Sequence, residues 1–374
     1  MKIHILTGHF HPQIHPRAFR AHELATELVR QGHEVTVTNL TTIEGFDYGS
    51  YTKNCGVQVR NMHLYRETTD NARSSISKTG QSVIGHIYRF LLTYLLDGAL
   101  FVKARQIASR LMIDPDTDLV VALSTPFMCL YGLSLYIRKN KPSFVAIADS
   151  GDPFYYSRQN KRAPWFALLE RRVYSSFHYL TIPTANAIPS YDRLISRDKI
   201  RIIPQGFRMD NLNLCKEVPS GIPRFAYAGV FYWDIRNPEF LFQYLDKLSI
   251  PYEFHLFMRY RDALVDQLLG NYPYVEEKVV MHFSVPHDEL LYQLSTMHFL
   301  VNIENVSNTQ MPSKLIDYGM SGRPVLSCRK DNFSQEVFNS FMEGNYEGAM
   351  EIDVRDYDIS LLARKFVDMA KVKP

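Results

Sequence analysis

Short apolar segments with strand character recur along this chain, and a helical stretch separates most of them from the next. Lys2-Ile3-His4-Ile5-Leu6-Thr7 is followed by an amphipathic segment at 18–31 and then by Glu34-Val35-Thr36-Val37-Thr38. The same order returns at 224–229, 238–248 and 252–257. Strands separated by helices pair in parallel, because a parallel neighbour needs a crossover of about a dozen residues. Helices then cover both faces of the sheet, so its strands read as continuous apolar runs. Residues 118–123, 144–148 and 299–303 have that character, and short strands at 179–183, 200–204, 279–283 and 324–327 extend the series. The pattern predicts an α/β protein that begins a Rossmann-like unit twice.

The length, 374 residues, suits two domains of about 150–200 residues each. With 46% hydrophobic and 22% charged residues, the composition supplies two cores and excludes a disordered chain. The predicted domains are 1–207 and 223–350, joined by a polar linker at 208–222. A last segment, 351–374, carries a short helix that returns to the first domain. A net charge of +3 is too mild to point to nucleic acid. Cys55, Cys129, Cys215 and Cys328 lie far apart and form no ligand pattern with histidine, as expected of reduced thiols in a cytoplasmic protein. The chain opens on a strand rather than a charged leader, and its most apolar window, 87–102, contains Arg89 and Asp97 and is too short to span a bilayer. Residues 41–82 are polar with little periodicity, which predicts a loop with a mobile excursion at 66–82. A long helical region at 83–111 should follow.

The stretch richest in chemistry is 311–326. Pro312 can open a helix, Leu315, Ile316 and Gly319 fall on one side of it, and Gly322 stops it before the strand that begins at Pro324. Ser313 and Lys314 then stand at a helix N-terminus, where an anion such as phosphate is favoured. Asp317, one turn deeper, is placed to accept hydrogen bonds from a ribose. The alternative is an ordinary β-α-β segment whose Lys314 and Asp317 are solvated. Gly229 ends the strand at 224–229, and Arg236 lies at the mouth of the loop that follows it. Arg236, Lys314 and Ser313 can therefore share one crevice and offer two cations and a hydroxyl to a diphosphate.

In the first half no Gly-x-Gly-x-x-Gly follows the opening strand, which disfavours an ordinary dinucleotide site there. The loop with His9, His11 and His15 has no carboxylate or cysteine spaced among its histidines, so no metal is expected. Arg17 and Arg20 oppose the dipole at the start of the first helix; a bound anion would account for them, as would simple solvation. Asp149-Ser150-Gly151-Asp152-Pro153-Phe154 follows a strand, where ligands gather in open α/β sheets, although turn chemistry favours the same residues. From Arg162 to Tyr174 runs a helix with Trp165, Phe166, Arg171 and Arg172. Its mixture of cations and aromatics suits peripheral contact with an anionic membrane, or else Trp165 and Phe166 are simply buried.

These segments together resemble the family 4 glycosyltransferases. The likeness rests on Gly32-His33-Glu34-Val35-Thr36-Val37 after the first helix and on Asp149-x-x-Asp152-Pro153-Phe154. It continues through Ile202-Ile203-Pro204-Gln205-Gly206, Gly229 with Arg236-Asn237-Pro238, and Pro312-Ser313-Lys314 as far as Pro324-Val325. The resemblance implies the GT-B fold, two facing Rossmann-like domains with a cleft between them. It also implies transfer of a sugar from a nucleotide-diphosphate sugar to a glycan or lipid-linked acceptor, usually with retention and without a bound metal. Gly229, Arg236, Val285, Pro312, Ser313, Lys314 and Asp317 would bind the donor. Arg17, Arg20, Ser124 and Asp149 would face the acceptor, and Asp152, Arg236 and Lys314 would carry the chemistry. Two departures stand out: Thr309 and Asp317 occupy the places of the family's paired glutamates, and Ser124 replaces a histidine. An epimerase on the same fold and a non-catalytic glycan-binding protein are the alternative expectations.

Overall fold

The structure is a computed structural model. It describes residues 1–13, 15–68, 94, 97–155, 162–217, 219–234, 236–261, 263–304 and 313–372, with residues 66–68 and 313 described by backbone only. The chain divides into two compact units, Met1–Arg208 with Tyr357–Pro374, and Met209–Asp356.

The first unit contains β1 (Lys2–Thr7), α1 (Pro16–Arg30), β2 (Glu34–Glu44), α2 (Tyr48–Cys55), β3 (Gln58–Thr68), α3 (Gly98–Arg110) and β4 (Leu119–Leu123). It continues with α4 (Met128–Asn140), β5 (Val145–Asp149), α5 (Trp165–Tyr174), β6 (Tyr179–Ile182) and β7 (Ile200–Ile202). Its seven strands form one parallel sheet in the order β3-β2-β1-β4-β5-β6-β7. β4, β5 and β6 are buried along their whole length because one apolar cluster covers each face of the sheet. The strand order reverses between β1 and β4, which opens a crevice at their carboxyl ends.

The second unit runs β8 (Arg224–Ala228), α6 (Glu239–Leu245), β9 (Glu253–Met258), α7 (Ala263–Asn271), α8 (Pro273–Glu276) and β10 (Val279–Phe283). After these come α9 (His287–Ser295), β11 (Phe299–Ile303), α10 (Ser313–Ser321), β12 (Val325–Cys328) and α11 (Gln335–Met342). Its parallel sheet has the order β10-β9-β8-β11-β12, so the reversal falls between β8 and β11. The last helix, α12 (Ile359–Lys371), packs on the first unit. Leu362, Phe366 and Val367 enter the cluster formed by Ile3, Leu24 and Leu28. The approach is close: a Cβ on Gly206 would lie 3.1 Å from the Ile359 Cα atom.

One expectation fails within 41–68. Instead of a loop, β2 runs on to Glu44, Asp47 caps α2 through the amides of Gly49 and Ser50, and β3 forms the sheet edge. An edge strand is partly solvated, and of its apolar residues only Leu64 is buried, with Val59 and Met62 half-buried, so β3 carries no continuous apolar run. Gly56 makes the turn between α2 and β3 in the left-handed region, at φ 77°. The rest of the expected excursion, 69–82, and the helical region at 83–93 lie outside the described residues.

Candidate functional site

In the second unit the residues of interest surround the reversal between β8 and β11. Tyr318, on α10, ties the two strands together: its hydroxyl accepts from the Ala228 amide at 2.7 Å and donates to the Val301 carbonyl at 3.2 Å. This places the start of α10 over the crevice. At the end of β8, Gly229 has φ 133°, a conformation that side-chain-bearing residues rarely adopt. The loop beyond it closes into a small hairpin, in which Tyr232 and Arg236 exchange backbone hydrogen bonds of 3.1 and 2.9 Å. The hairpin turns Arg236 back onto the sheet, where its Nη1 donates to the Tyr227 hydroxyl and the Val230 carbonyl, both at 3.3 Å.

Lys314 reaches the same place from α10. Its Nζ lies 4.4 Å from the centroid of the Tyr227 ring and 3.3 Å from the Ile303 carbonyl, and the residue is 7% exposed. Burial pushes its pKa well below the ordinary lysine value, and the neighbouring Arg236 charge pushes it further. Burial also raises the Tyr227 phenol to about 12, with Arg236 acting in the opposite direction. Two cations thus converge on one ring, an arrangement that an incoming anion would stabilise. Asp317 lies one turn along α10, with His287 Nε2 2.9 Å from its Oδ1. Val285 packs beside the cluster of Leu294, Leu300 and Leu315. Ser313 is the first residue of α10 and is described by its backbone, while Pro312 and Thr309 lie outside the described residues.

The first unit treats its predicted residues differently. Asp149, at the end of β5, is buried and accepts two hydrogen bonds from Arg20, at 2.7 and 2.6 Å, and one from Thr181 at 2.6 Å. Arg17 Nη1 adds a contact at 3.4 Å, and Arg20 also donates to the carbonyls of Ile203 and Pro204. Burial alone would raise the Asp149 pKa, but the charge and hydrogen bonds of Arg20, then Arg17 and Thr181, hold it below the usual carboxylate range. The negative partner of the two arginines is therefore a side chain of the protein itself. Arg20 and Asp149 are occupied in joining α1 to β5, which leaves neither of them for an acceptor.

Asp152, three residues on, lines a pocket of about 300 Å³ with Asp97, Ser124, Thr125, Phe127, Phe154 and Arg162. The loop that presents Asp152 is held from below. Ser150 Oγ donates to the Asp152 carbonyl at 3.1 Å and accepts from Ser124 Oγ and Tyr174 Oη, both at 3.2 Å. The carboxylate of Glu170, fully buried on α5, accepts from the amides of Phe154 and Tyr155 at 2.8 and 2.9 Å. Arg162 belongs to the pocket wall: its guanidinium lies 3.8 Å from the Phe154 ring centroid and donates to the Phe154 carbonyl at 3.0 Å.

That placement corrects the reading of the basic, aromatic helix. Phe166 and Tyr174 are fully buried and Arg162 packs on Phe154, so none of the three belongs to an outer face. The exposed side of α5 consists of Trp165, Leu168, Arg171 and Arg172, with Trp165 also stacked on Phe166 and Phe101. Sequence reasoning missed Asp97, Glu170 and His287. Asp97 caps α3 by accepting from Leu100, and its position just before Gly98 and Ala99 was the available signal. Among the described residues no group of three His, Cys, Asp or Glu side chains stands ready to hold a metal ion, and no helix is long and apolar enough to cross a membrane.

No protein-family model matches the sequence, and no curated protein matches it either. Solved structures do match. A glycosyltransferase from Rickettsia africae aligns with 99% of this chain and 97% of its own, at TM-score 0.62 and 12% identity. The lipopolysaccharide outer core galactosyltransferase WaaB aligns over 99% of both chains, at TM-score 0.55 and 10% identity. Anabaena HepE, solved in complex with UDP-glucose, aligns over 100% of both, at TM-score 0.56 and 11% identity. At such identities the likeness is one of architecture. With its two parallel-sheet units matched along nearly the whole chain, the protein has the GT-B fold.

Proposed function

We propose that the protein is a glycosyltransferase of the family 4 type, which moves a sugar from a nucleotide-diphosphate sugar to a glycan or lipid-linked acceptor with retention, in cell-surface polysaccharide synthesis. The observation that carries this reading is the convergence of Arg236 and buried Lys314 at the β8/β11 reversal. When the bond between the anomeric carbon and the diphosphate breaks, negative charge grows on the departing oxygen. Two cations already fixed in place stabilise it without reorganising. Asp317 accepts from the ribose hydroxyls, as the carboxylate nearest the diphosphate on the same helix. In the first unit, Asp152 orients the acceptor hydroxyl or takes its proton, within a pocket large enough for about one sugar ring. HepE, solved with UDP-glucose, supports a nucleotide sugar as the donor class.

The reading is tested by a thermal-shift screen of sugar nucleotides, since a ligand of the folded state raises its apparent stability. Donor hydrolysis and transfer are then measured with the nucleotide that binds. Asp152→Asn should lower turnover by about 10²- to 10⁴-fold, the usual scale for one acid–base group, while leaving donor affinity in place. Cations of the chain neutralise the diphosphate, so turnover should survive EDTA. Loss on chelation with recovery in Mn²⁺ or Mg²⁺ would overturn that part, and a chain that binds no sugar nucleotide would overturn the whole.

The protein works, in this reading, at the inner face of an anionic membrane. Trp165, Leu168, Arg171 and Arg172 share the exposed side of α5, and each cation near such a surface contributes about 1 kcal/mol of attraction. Wild type should sediment with anionic vesicles at low salt and leave them at high salt. Arg171→Glu with Arg172→Glu should stay in the supernatant with an unchanged melting temperature. A wild-type protein that ignores anionic vesicles at low salt makes a soluble acceptor the better reading.

A further inference from the structure

His287 is the first residue of α9, and the turn that leads to it is pinned to the neighbouring strand. The Ser284 amide donates to the Met258 carbonyl and the Ser284 hydroxyl to the Arg259 carbonyl, both at 2.9 Å. α9 packs against α10 through Leu294, Leu315 and Tyr318. The imidazole of His287 thereby meets Asp317, with Nε2 2.9 Å from Oδ1. A carboxylate has no proton to give, so Nε2 is the donor. Among the described residues nothing donates to Asp317 Oδ2, which leaves that oxygen to accept from a ligand.

The pair does little for stability. The side chains are 39% and 16% exposed, and polar pairs that open to solvent stabilise a fold little. Its geometry matters more for binding. An aspartate on a helix exchanges between rotamers, and each ligand that needs one rotamer must oppose that freedom. A hydrogen bond to one oxygen restrains the carboxylate plane and leaves the other oxygen as an acceptor.

We infer that His287 is a positioning residue, which fixes Asp317 in the orientation that accepts a ribose hydroxyl of the nucleotide. The inference rests on the donor-site reading proposed above. It adds a residue from a second helix, one that binds through Asp317 rather than by touching the diphosphate.

The test is calorimetry on the full chain with UDP, GDP and ADP as probes. For whichever of them binds, Asp317→Asn should weaken affinity by at least about 10-fold, and His287→Ala by about 5- to 10-fold, the scale of one hydrogen bond to a charged group. His287→Gln, whose amide can also donate, should recover most of the loss. In the double variant, His287→Ala should add nothing to Asp317→Asn. Melting temperatures should stay near wild type throughout. If none of the three nucleotides binds wild type, the donor-site reading fails and takes this inference with it. If Asp317→Asn weakens binding and His287→Ala does not, the positioning role alone is wrong. Equal losses for Ala and Gln, or additive losses in the double variant, overturn it too.

Discussion

Lys314→Met is expected to lower kcat/KM for donor turnover by about 30- to 1,000-fold, a loss of roughly 2–4 kcal/mol of transition-state stabilisation. The protein should at the same time become no less stable to heat. Both effects follow from where the ammonium sits. It is buried beside the Tyr227 ring with Arg236 as a neighbouring charge. Holding a cation there opposes folding, and a methionine of similar length removes that cost while filling the space. The same cation faces the position where charge develops on a departing diphosphate, so its removal is felt most in the transition state. The pH dependence has a definite sign. The Lys314 pKa is lowered on folding, so the unfolded chain binds more protons below the ordinary lysine value. Wild-type stability should therefore rise with pH through the window that ends near about 10.4, and this rise should be smaller in Lys314→Met. Donor hydrolysis and urea unfolding at pH 7 and 10 measure the two effects. Near wild-type turnover would remove Lys314 from the site.

Asp149→Ala should destabilise the first unit by about 3–5 kcal/mol, because it leaves the buried guanidinium of Arg20 without its charge partner. Replacing both partners, Asp149→Ala with Arg20→Met, should recover a substantial part of this, as expected when the penalty comes from an uncompensated charge. Acid should act in the same direction. The Asp149 carboxyl is held below its unfolded value, so its contribution is fully present above about pH 4 and is lost as pH falls through the lower, folded value. Urea midpoints at pH 7 and pH 3 test this: the difference between wild type and Asp149→Ala should shrink in acid. A small, pH-independent effect at pH 7 would mean that the pair is not what holds α1 to β5.

The two predictions differ in how far the sequence anticipated them. Lys314 was legible, since Pro312, Gly322 and the apolar positions between them mark a helix end on local grounds, and a cation there suggests an anion site. Arg17 and Arg20 were legible only as a question. Their position at a helix start suited either a bound anion or simple solvation, and the partner is Asp149, 129 residues from Arg20 along the chain. Asp152 and Asp149 are three residues apart and equally acidic in the sequence. Burial beside two arginines makes one of them structural, and the pocket beyond the turn leaves the other able to meet a ligand.

The same distinction runs through the fold. Buried strands in the middle of a parallel sheet announce themselves, because helices on both faces demand apolar side chains at every position. β4, β5, β8 and β11 were visible for that reason, and with them the two-unit α/β plan. β3 was not, since an edge strand is partly solvated and its many polar residues resemble a loop. Helix ends such as the one at Gly322 and continuous apolar runs such as β4 and β5 depend on residues within about one or two turns of each other, so the sequence by itself determined them. Which charge meets which was decided by the tertiary structure alone: Arg20 with Asp149, Glu170 with the amides of Phe154 and Tyr155, His287 with Asp317. Those pairings depend on which strands are neighbours and on how helices pack across them, and no local pattern of residues carries that information.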